Sequence, residues 1–320
     1  MKNVFDVGED SVHFSVSNIA WDVGHLYTVY GPLLRGCCSV MFEGSPIYPD
    51  AGAIWKVCES HKVTSMYICP SDVRRIKKRD FEGTKLGDYD LSSLKTVSLV
   101  GERGDADTVN WLHKYLPDVI INDTYWQTES GMPMAANCLN LEAFTTVFPS
   151  FPGSVTRPVP GFELKVLDSD NKETEVDIVG KVVVKKPLPP GFAMTLYGKD
   201  SEFVEKYMTE TPGYYTTGDS GKVDENGYIH IMSRTDEIIT TNAGDLLTTG
   251  QLEEVINEHE EVVESAVVPY NSKMRGIAPL AFVVLKDGNS AEVLEDKPEG
   301  EEAEAGDLGT AFAEAPWNAE

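Results

Sequence analysis

Val119-Ile120-Ile121-Asn122-Asp123-Thr124-Tyr125-Trp126-Gln127-Thr128-Glu129-Ser130-Gly131 decides the fold class of this 320-residue chain. Its head is a short, β-branched apolar run, as a buried strand is, and its tail gathers hydroxyls, a carboxylate, an amide and two large aromatics into a polar loop. A buried strand emptying into a polar loop is the repeating unit of an open α/β sheet, in which ligands bind just outside the carboxyl ends of the strands. On its residues alone the loop has two readings. In one it handles phosphate: Thr124 and Thr128 donate hydroxyl hydrogen bonds to phosphate oxygens, Glu129 holds a Mg²⁺ that also takes phosphate oxygens, and Tyr125 and Trp126 wall an apolar or planar group. In the other it is a helix N-terminus capped by Thr or Asp, with Trp126 in the core. The nonapeptide 123–131 does not choose between them.

Working back from this strand, helical and strand-like segments alternate. Short β-type runs over 13–21 lead into an apolar helix-like segment that stops at Gly36, and 40–42 reads as a short strand. A helix over Ala53–His61, a strand over 63–69 closed by Pro70, and a basic helix over 73–79 follow. A strand over 95–100 then runs into Gly101-Glu102-Arg103, and a helix over 107–115 returns the chain to the quoted stretch. Such alternation predicts βαβ units and a mainly parallel sheet. After Gly153 the texture changes to Pro, Gly and β-branched runs (154–167, 180–186), which predict a small antiparallel barrel or sheet. Asp224-Glu225-Asn226-Gly227 is a hairpin signal ahead of a strand over 228–232. From about Asp236 an acidic amphipathic helix (250–259) and strands (262–268, 280–285) suggest a small α+β unit, and from Asn289 onward Glu, Ala, Gly and Pro predict disorder.

Composition narrows the function classes. The net charge is −25, of which the last 32 residues carry −9 through ten acids against Lys297 alone. The remaining −16 argues against nonspecific nucleic-acid binding, which depends on Lys and Arg neutralising phosphates. The longest apolar runs, such as 278–285, fall far short of the ~20 residues that span a bilayer, so no membrane partner is expected. The five cysteines form no C-x-x-C and lack a His at metal spacing, so neither a zinc site nor a disulfide framework is indicated, and a reducing intracellular compartment is expected. The first twenty residues carry neither a secretory nor a transit pattern, which leaves cytoplasm and mitochondrial matrix both open. No Gly-x-Gly-x-x-Gly follows a strand, which removes a dinucleotide-dependent oxidoreductase.

Several motifs in one order carry a resemblance. Gly101-Glu102, Trp126-Gln127-Thr128-Glu129, Tyr215-x-Thr217-Gly218-Asp219 and Ser233-Arg234-x-Asp236, together with Tyr30 to Leu34, Phe42-Glu43-Gly44 and Tyr48 to Gly52, make the chain similar to the adenylate-forming acyl-CoA synthetases. Within them it most resembles the short-chain acetyl-CoA and propionyl-CoA synthetases. The resemblance implies an acid-thiol ligase of two steps: a carboxylate and Mg-ATP give acyl-AMP and pyrophosphate, then CoA displaces AMP. It implies ATP, CoA and Mg²⁺ as cofactors. It also implies a C-terminal portion of the AMP-binding domain over 1–235 with its small barrel from about 153, a partial C-terminal domain over 236–288, and an acidic tail over 289–320.

The same resemblance implies residue roles. Gly101, Glu102 and Arg103 line the adenine, and Asp123, Thr124, Tyr125, Trp126 and Gln127 lie along the nucleotide. Thr128 touches the α-phosphate, Glu129 binds Mg²⁺, and these two are the catalytic pair. Asp219 accepts both ribose hydroxyls and Arg234 reaches ribose or phosphate. Trp126 and Val23 bound the acyl pocket; Val23, where acetyl-type enzymes tend to carry Thr, favours propionate by the ~1–3 kcal/mol that a methylene is worth. Asp236 is the hinge of the C-terminal domain and Gly244 approaches CoA. Against the family pattern, the chain has no Gly/Ser/Thr-rich phosphate loop and no catalytic lysine of the C-terminal domain. It carries Gly244-Asp245-Leu246 where the family has Gly-His-Arg, and Asp22 beside the acyl pocket, where a carboxylate repels a bound carboxylate. The resemblance therefore implies a fragment truncated at both ends. The rival from another class is a nucleotide- or acyl-binding remnant without catalysis.

Overall fold

The structure, a computed structural model, describes residues 1–140, 148–235, 238–240, 246–257, 259, 262–272 and 276–285. The chain divides into two compact units, Met1–Thr235 and Asp236–Glu320.

The first unit is built on five parallel strands: β1 (Val12–Ser15), β2 (Cys38–Val40), β3 (Ser65–Ile68), β4 (Thr96–Leu99) and β5 (Ile120–Asp123), in spatial order β2-β1-β3-β4-β5. Every residue of β3 and β4 is buried, as parallel strands covered on both faces are. Helices α1 (Ala53–His61), α2 (Pro70–Arg79) and α3 (Ala106–Tyr115) make the connections, and Ile54, Trp55, Ile76 and Leu112 bury against Ile68, Val97 and Leu99 in one core. Pro70 does not simply close β3. It opens α2, at a first-turn position where its missing N–H has no intrahelical partner to lose. Asp105 caps α3, its carboxylate accepting the Thr108 N–H at 2.8 Å.

The short β-type runs expected over 13–21 yield a single strand. It ends at Ser15, and the Asn18 carboxamide accepts the Ala20 N–H to fold the next residues into a turn. Residues 22–35 are helical throughout, with a wider turn over His25–Tyr30, and Gly36 ends the run in the left-handed conformation at φ 71°.

A four-stranded antiparallel sheet takes the place of the expected small barrel or sheet: β6 (Leu164–Leu167), β7 (Gly180–Lys185), β8 (Tyr214–Val223) and β9 (Ile229–Arg234). The Asp224 carboxylate accepts the N–H groups of Asn226 and Tyr228, and Gly227 takes φ 76°, which closes the β8–β9 turn where the sequence signals one. Val166, Val182, Val184, Phe192, Phe203 and Tyr215 form the second core.

The second unit contains an antiparallel pair, β10 (Ile238–Thr240) with β11 (Leu246–Thr248), then helix α4 (Thr249–Asn257) and a long antiparallel pair, β12 (Val262–Ser272) with β13 (Gly276–Leu285). The predicted hinge Asp236, the CoA-side Gly244 and the acidic tail lie outside the described residues. Among the described residues no helix is long and apolar enough to cross a membrane.

Candidate functional site at the strand ends

A bulge in β8 sets the geometry of the site. Val182 of β7 pairs with Asp219 while its neighbour Val183 pairs with Thr216, so Thr217 and Gly218 are extra on the β8 side. The chain accommodates them because Gly218 adopts φ 75°, and a Cβ there would lie 2.6 Å from the Arg234 guanidinium. Thr217 locks the bulge: its hydroxyl donates to the Val182 carbonyl at 2.6 Å and accepts the Asp219 N–H at 3.1 Å.

The redirected Asp219 carboxylate meets residues from the loop after β5. Its Oδ2 accepts the Tyr125 phenol at 2.6 Å and the Gln127 amide at 2.7 Å, and its Oδ1 accepts Arg234 Nη1 at 3.0 Å. Burial is the largest influence on this carboxyl and raises its pKa, with the Tyr125, Arg234 and Gln127 donors opposing the rise. An ionised carboxylate has about four acceptor positions, so three of Asp219's are filled from within the protein. Gln127 is fixed from both ends of its amide, accepting the Tyr215 phenol at 3.1 Å and donating to the Thr217 carbonyl at 2.7 Å.

The loop itself is a turn and not a capped helix. Ser130 accepts the Gln127 N–H at 3.0 Å, its own N–H returns to the Gln127 carbonyl, and Gly131 takes φ 63°. Thr128 is exposed. Glu129 is held twice: its carbonyl accepts the Ala193 N–H at 2.7 Å, and carboxylate Oε1 accepts the Tyr207 phenol. That bond and burial together hold the Tyr207 phenol up at about 12, burial being the larger cause. Thr124 differs from the expected phosphate donor, because it is buried and its hydroxyl proton is committed to the Leu99 carbonyl at 2.6 Å, where it joins β4 to β5.

On the other side of β5, Asp123 is almost fully buried. Its Oδ2 accepts a long bond from the Gly104 N–H at 3.3 Å, and burial pushes its pKa up to about 7 despite the Gly104 and Thr124 backbone N–H groups and the nearby Arg103 charge. Gly104 lets the chain approach closely, since a Cβ there would sit 2.7 Å from the same oxygen and force Asp123 to shift. Gly101 turns the chain at φ 86°, and Glu102 is tied outward to Arg74 at 2.6 Å and to the Cys69 thiol at 3.3 Å. Val23 is buried in one apolar cluster with Tyr27 and the partly buried Trp126, whose indole meets the Tyr27 ring edge-on at 6.0 Å. One oxygen of Asp22 is buried at the edge of this cluster without a hydrogen-bond partner in the protein.

The site thus brings together Tyr125, Gln127, Asp219 and Arg234, sets Glu129 beside them in chain order, and gathers Val23 and Trp126 in a separate apolar cluster. No motif in the sequence marks Tyr207, which lies 78 positions from Glu129. Among the described residues no three His, Cys, Asp or Glu side chains converge as a metal cage. A lone carboxylate with one oxygen unbonded suits Mg²⁺, which keeps several waters and takes substrate phosphates.

The first unit thus joins a five-stranded parallel sheet to a four-stranded antiparallel sheet, with Asp219 of the second bonded to Tyr125 and Gln127 beyond the end of β5. An anthranilate CoA ligase solved with anthranoyl-AMP shares this fold, with a TM-score of 0.74 at 23% identity over 90% of this chain and 52% of that one. The chain belongs to the AMP-binding enzyme family, whose profile matches residues 1–197, and the profile of the AMP-binding enzyme C-terminal domain matches 251–307. It is 38% identical to acyl-CoA synthetase short-chain family member B, mitochondrial, of Dictyostelium discoideum, over 89% of this chain and 41% of the relative. It is 38% identical to the human acyl-CoA synthetase short-chain family member 3, mitochondrial, over 92% and 43% respectively, and 37% identical to the acetyl-coenzyme A synthetase of Chlorobaculum tepidum, over 90% and 42%. The chain spans less than half the length of these relatives.

Proposed function

We propose that this chain carries the nucleotide and acyl subsites of a short-chain acyl-CoA synthetase, whose complete reaction activates propionate or acetate with ATP through acyl-AMP and passes the acyl group to CoA. The observation that carries this reading is the meeting of Asp219, delivered by the β8 bulge, with Tyr125 and Gln127 from the end of β5. Asp219 receives the ribose hydroxyls. Because only one of its acceptor positions is open, one of the present donors yields when ribose arrives, and the half-exposed Arg234 reaches ribose or phosphate. Thr128, exposed at the turn, faces the α-phosphate, and Glu129 holds Mg²⁺, which neutralises phosphate charge when bound. Gly101, Glu102 and Arg103 line the adenine, and Asp123 lies along the nucleotide. Val23 and Trp126 bound a pocket for a two- or three-carbon acid, with Val23 favouring propionate. Asp236 serves as hinge and Gly244 approaches CoA.

Calorimetric titration of the chain with AMP and with propionyl- and acetyl-sulfamoyladenosine, stable stand-ins for acyl-AMP, tests this. The acyl compounds should bind more tightly than AMP and the propionyl compound most tightly. Equal affinity for all three, or none, counts against an acyl site next to a nucleotide site. Pyrophosphate release dependent on propionate then separates a working ligase from a binding remnant.

A further inference from the structure

The residues 200–209 form one helical segment, Asp200–Val204 continuing through the wider turn Glu205–Thr209, and its buried Tyr207 points at the site from the second core. The phenol donates to Glu129 Oε1. The Tyr207 ring lies parallel to that of Tyr215, 8° apart with centroids at 5.3 Å, and Phe203 packs on it at 5.1 Å. Tyr215, fully buried, donates to the Gln127 amide oxygen, and the Gln127 nitrogen donates to Asp219. A continuous path of hydrogen bonds and ring contact therefore runs from Glu129 through Tyr207, Tyr215 and Gln127 to Asp219.

We infer that Tyr207 is a positioning residue: it fixes one oxygen of Glu129 so that the other is presented to a divalent cation, and through Tyr215 it shares one rigid support with the Asp219 carboxylate. This rests on the reading of Glu129 as the cation ligand. Three features support it. A glutamate on a surface turn samples several rotamers, and a carboxylate held by one charge-assisted bond loses that freedom before the ligand arrives. The backbone of the same residue is pinned by Ala193, so both ends of Glu129 are held by the single stretch 193–207. Besides Glu129, Arg234 and Glu202 lie near the Tyr207 phenol and the Lys206 ammonium sits 4.9 Å over its ring; Arg234 pairs with Asp219 and Glu202 with Lys199, and the Tyr207 proton goes to Glu129.

The test is Tyr207→Phe, which keeps the ring, its stacking on Tyr215 and the packing on Phe203 while deleting the donor. ATP binding is measured by titration calorimetry across a Mg²⁺ series, and AMP binding is measured in EDTA. The Mg²⁺ concentration giving half of the metal-dependent gain in ATP affinity should rise about tenfold, the loss of one hydrogen bond to a charged group, while AMP affinity in EDTA stays within about twofold. Tyr215→Phe should do the reverse, weakening AMP in EDTA and leaving the Mg²⁺ midpoint in place. A wild-type chain that binds ATP no better with Mg²⁺ than in EDTA overturns the reading of Glu129 and this inference with it. A clear Mg²⁺ dependence in wild type that is unchanged in Tyr207→Phe overturns this inference alone, as does a Tyr207→Phe that loses AMP and Mg-ATP binding in equal proportion, the mark of a purely structural role.

Discussion

Replacing Asp123 with Asn should stabilise the first unit in a way that depends on pH. Asp123 ends β5, is 8% exposed, leaves Oδ1 without a partner, and takes a long 3.3 Å bond from Gly104 on Oδ2. Burial raises its carboxyl from 3.8 to about 7, with Asp105 adding to the rise and Arg103 opposing it. At ~1.4 kcal/mol per pH unit this difference corresponds to roughly 4 kcal/mol. The native state holds the proton to a higher pH than the unfolded chain does, so the native state binds more protons between about pH 4 and about pH 7. Stability therefore falls as pH rises through that window and stays at the lower value above it. Asn cannot titrate and its amide oxygen still accepts the Gly104 N–H. The stability difference, Asp123→Asn minus wild type, should be small near pH 4, grow across the window and level off at up to ~4 kcal/mol above pH 7. Urea unfolding followed by tryptophan fluorescence at several pH values gives this difference curve, in which other titrating groups such as His13 cancel. A difference that is flat with pH, or that makes the variant the less stable form at high pH, refutes the assignment of a buried, poorly solvated carboxylate here.

Gly218→Ala forces a Cβ onto a left-handed residue against Arg234 and should cost about 1–2 kcal/mol of stability and weaken AMP binding together, as thermal melting and calorimetry will report. Asp105→Ala removes the α3 cap and should lower stability by about 1 kcal/mol in urea unfolding without altering the fold. Thiol labelling of the native chain at about pH 8 should modify the exposed Cys38 first. Cys58 and Cys69, which burial pushes up to about 12 and about 11, should react last, and mass mapping of the labelled peptides checks the order.

Much of the first unit was legible because its signals are local. The β-branched run ending in Asp123, the helix Ala53–His61 and the Asp224–Gly227 turn each follow from neighbours in sequence, and the alternation of strands and helices leads directly to a parallel sheet. The site was legible in part. Asp219, Tyr125 and Gln127 were singled out by motif, but their meeting depends on the two-residue bulge at Thr217-Gly218, whose register is set by β7, some 35 positions away. Thr124 illustrates the limit in the other direction. A threonine after a strand reads equally well as a ligand donor or as an inward cross-strand bond, and only the position of the Leu99 carbonyl decides it. Tyr207 was invisible for the same reason, since its partner is brought to it by the packing of the second core.

The affinity of the chain for AMP compared with 2′-deoxy-AMP and 3′-deoxy-AMP tests the central claim most directly, because Asp219 is assigned to both ribose hydroxyls. The account predicts that AMP binds and that each deoxy analogue binds about tenfold more weakly, a loss that shrinks when Asp219 is replaced by Asn. Equal affinity for all three nucleotides, in wild type and variant alike, would contradict it.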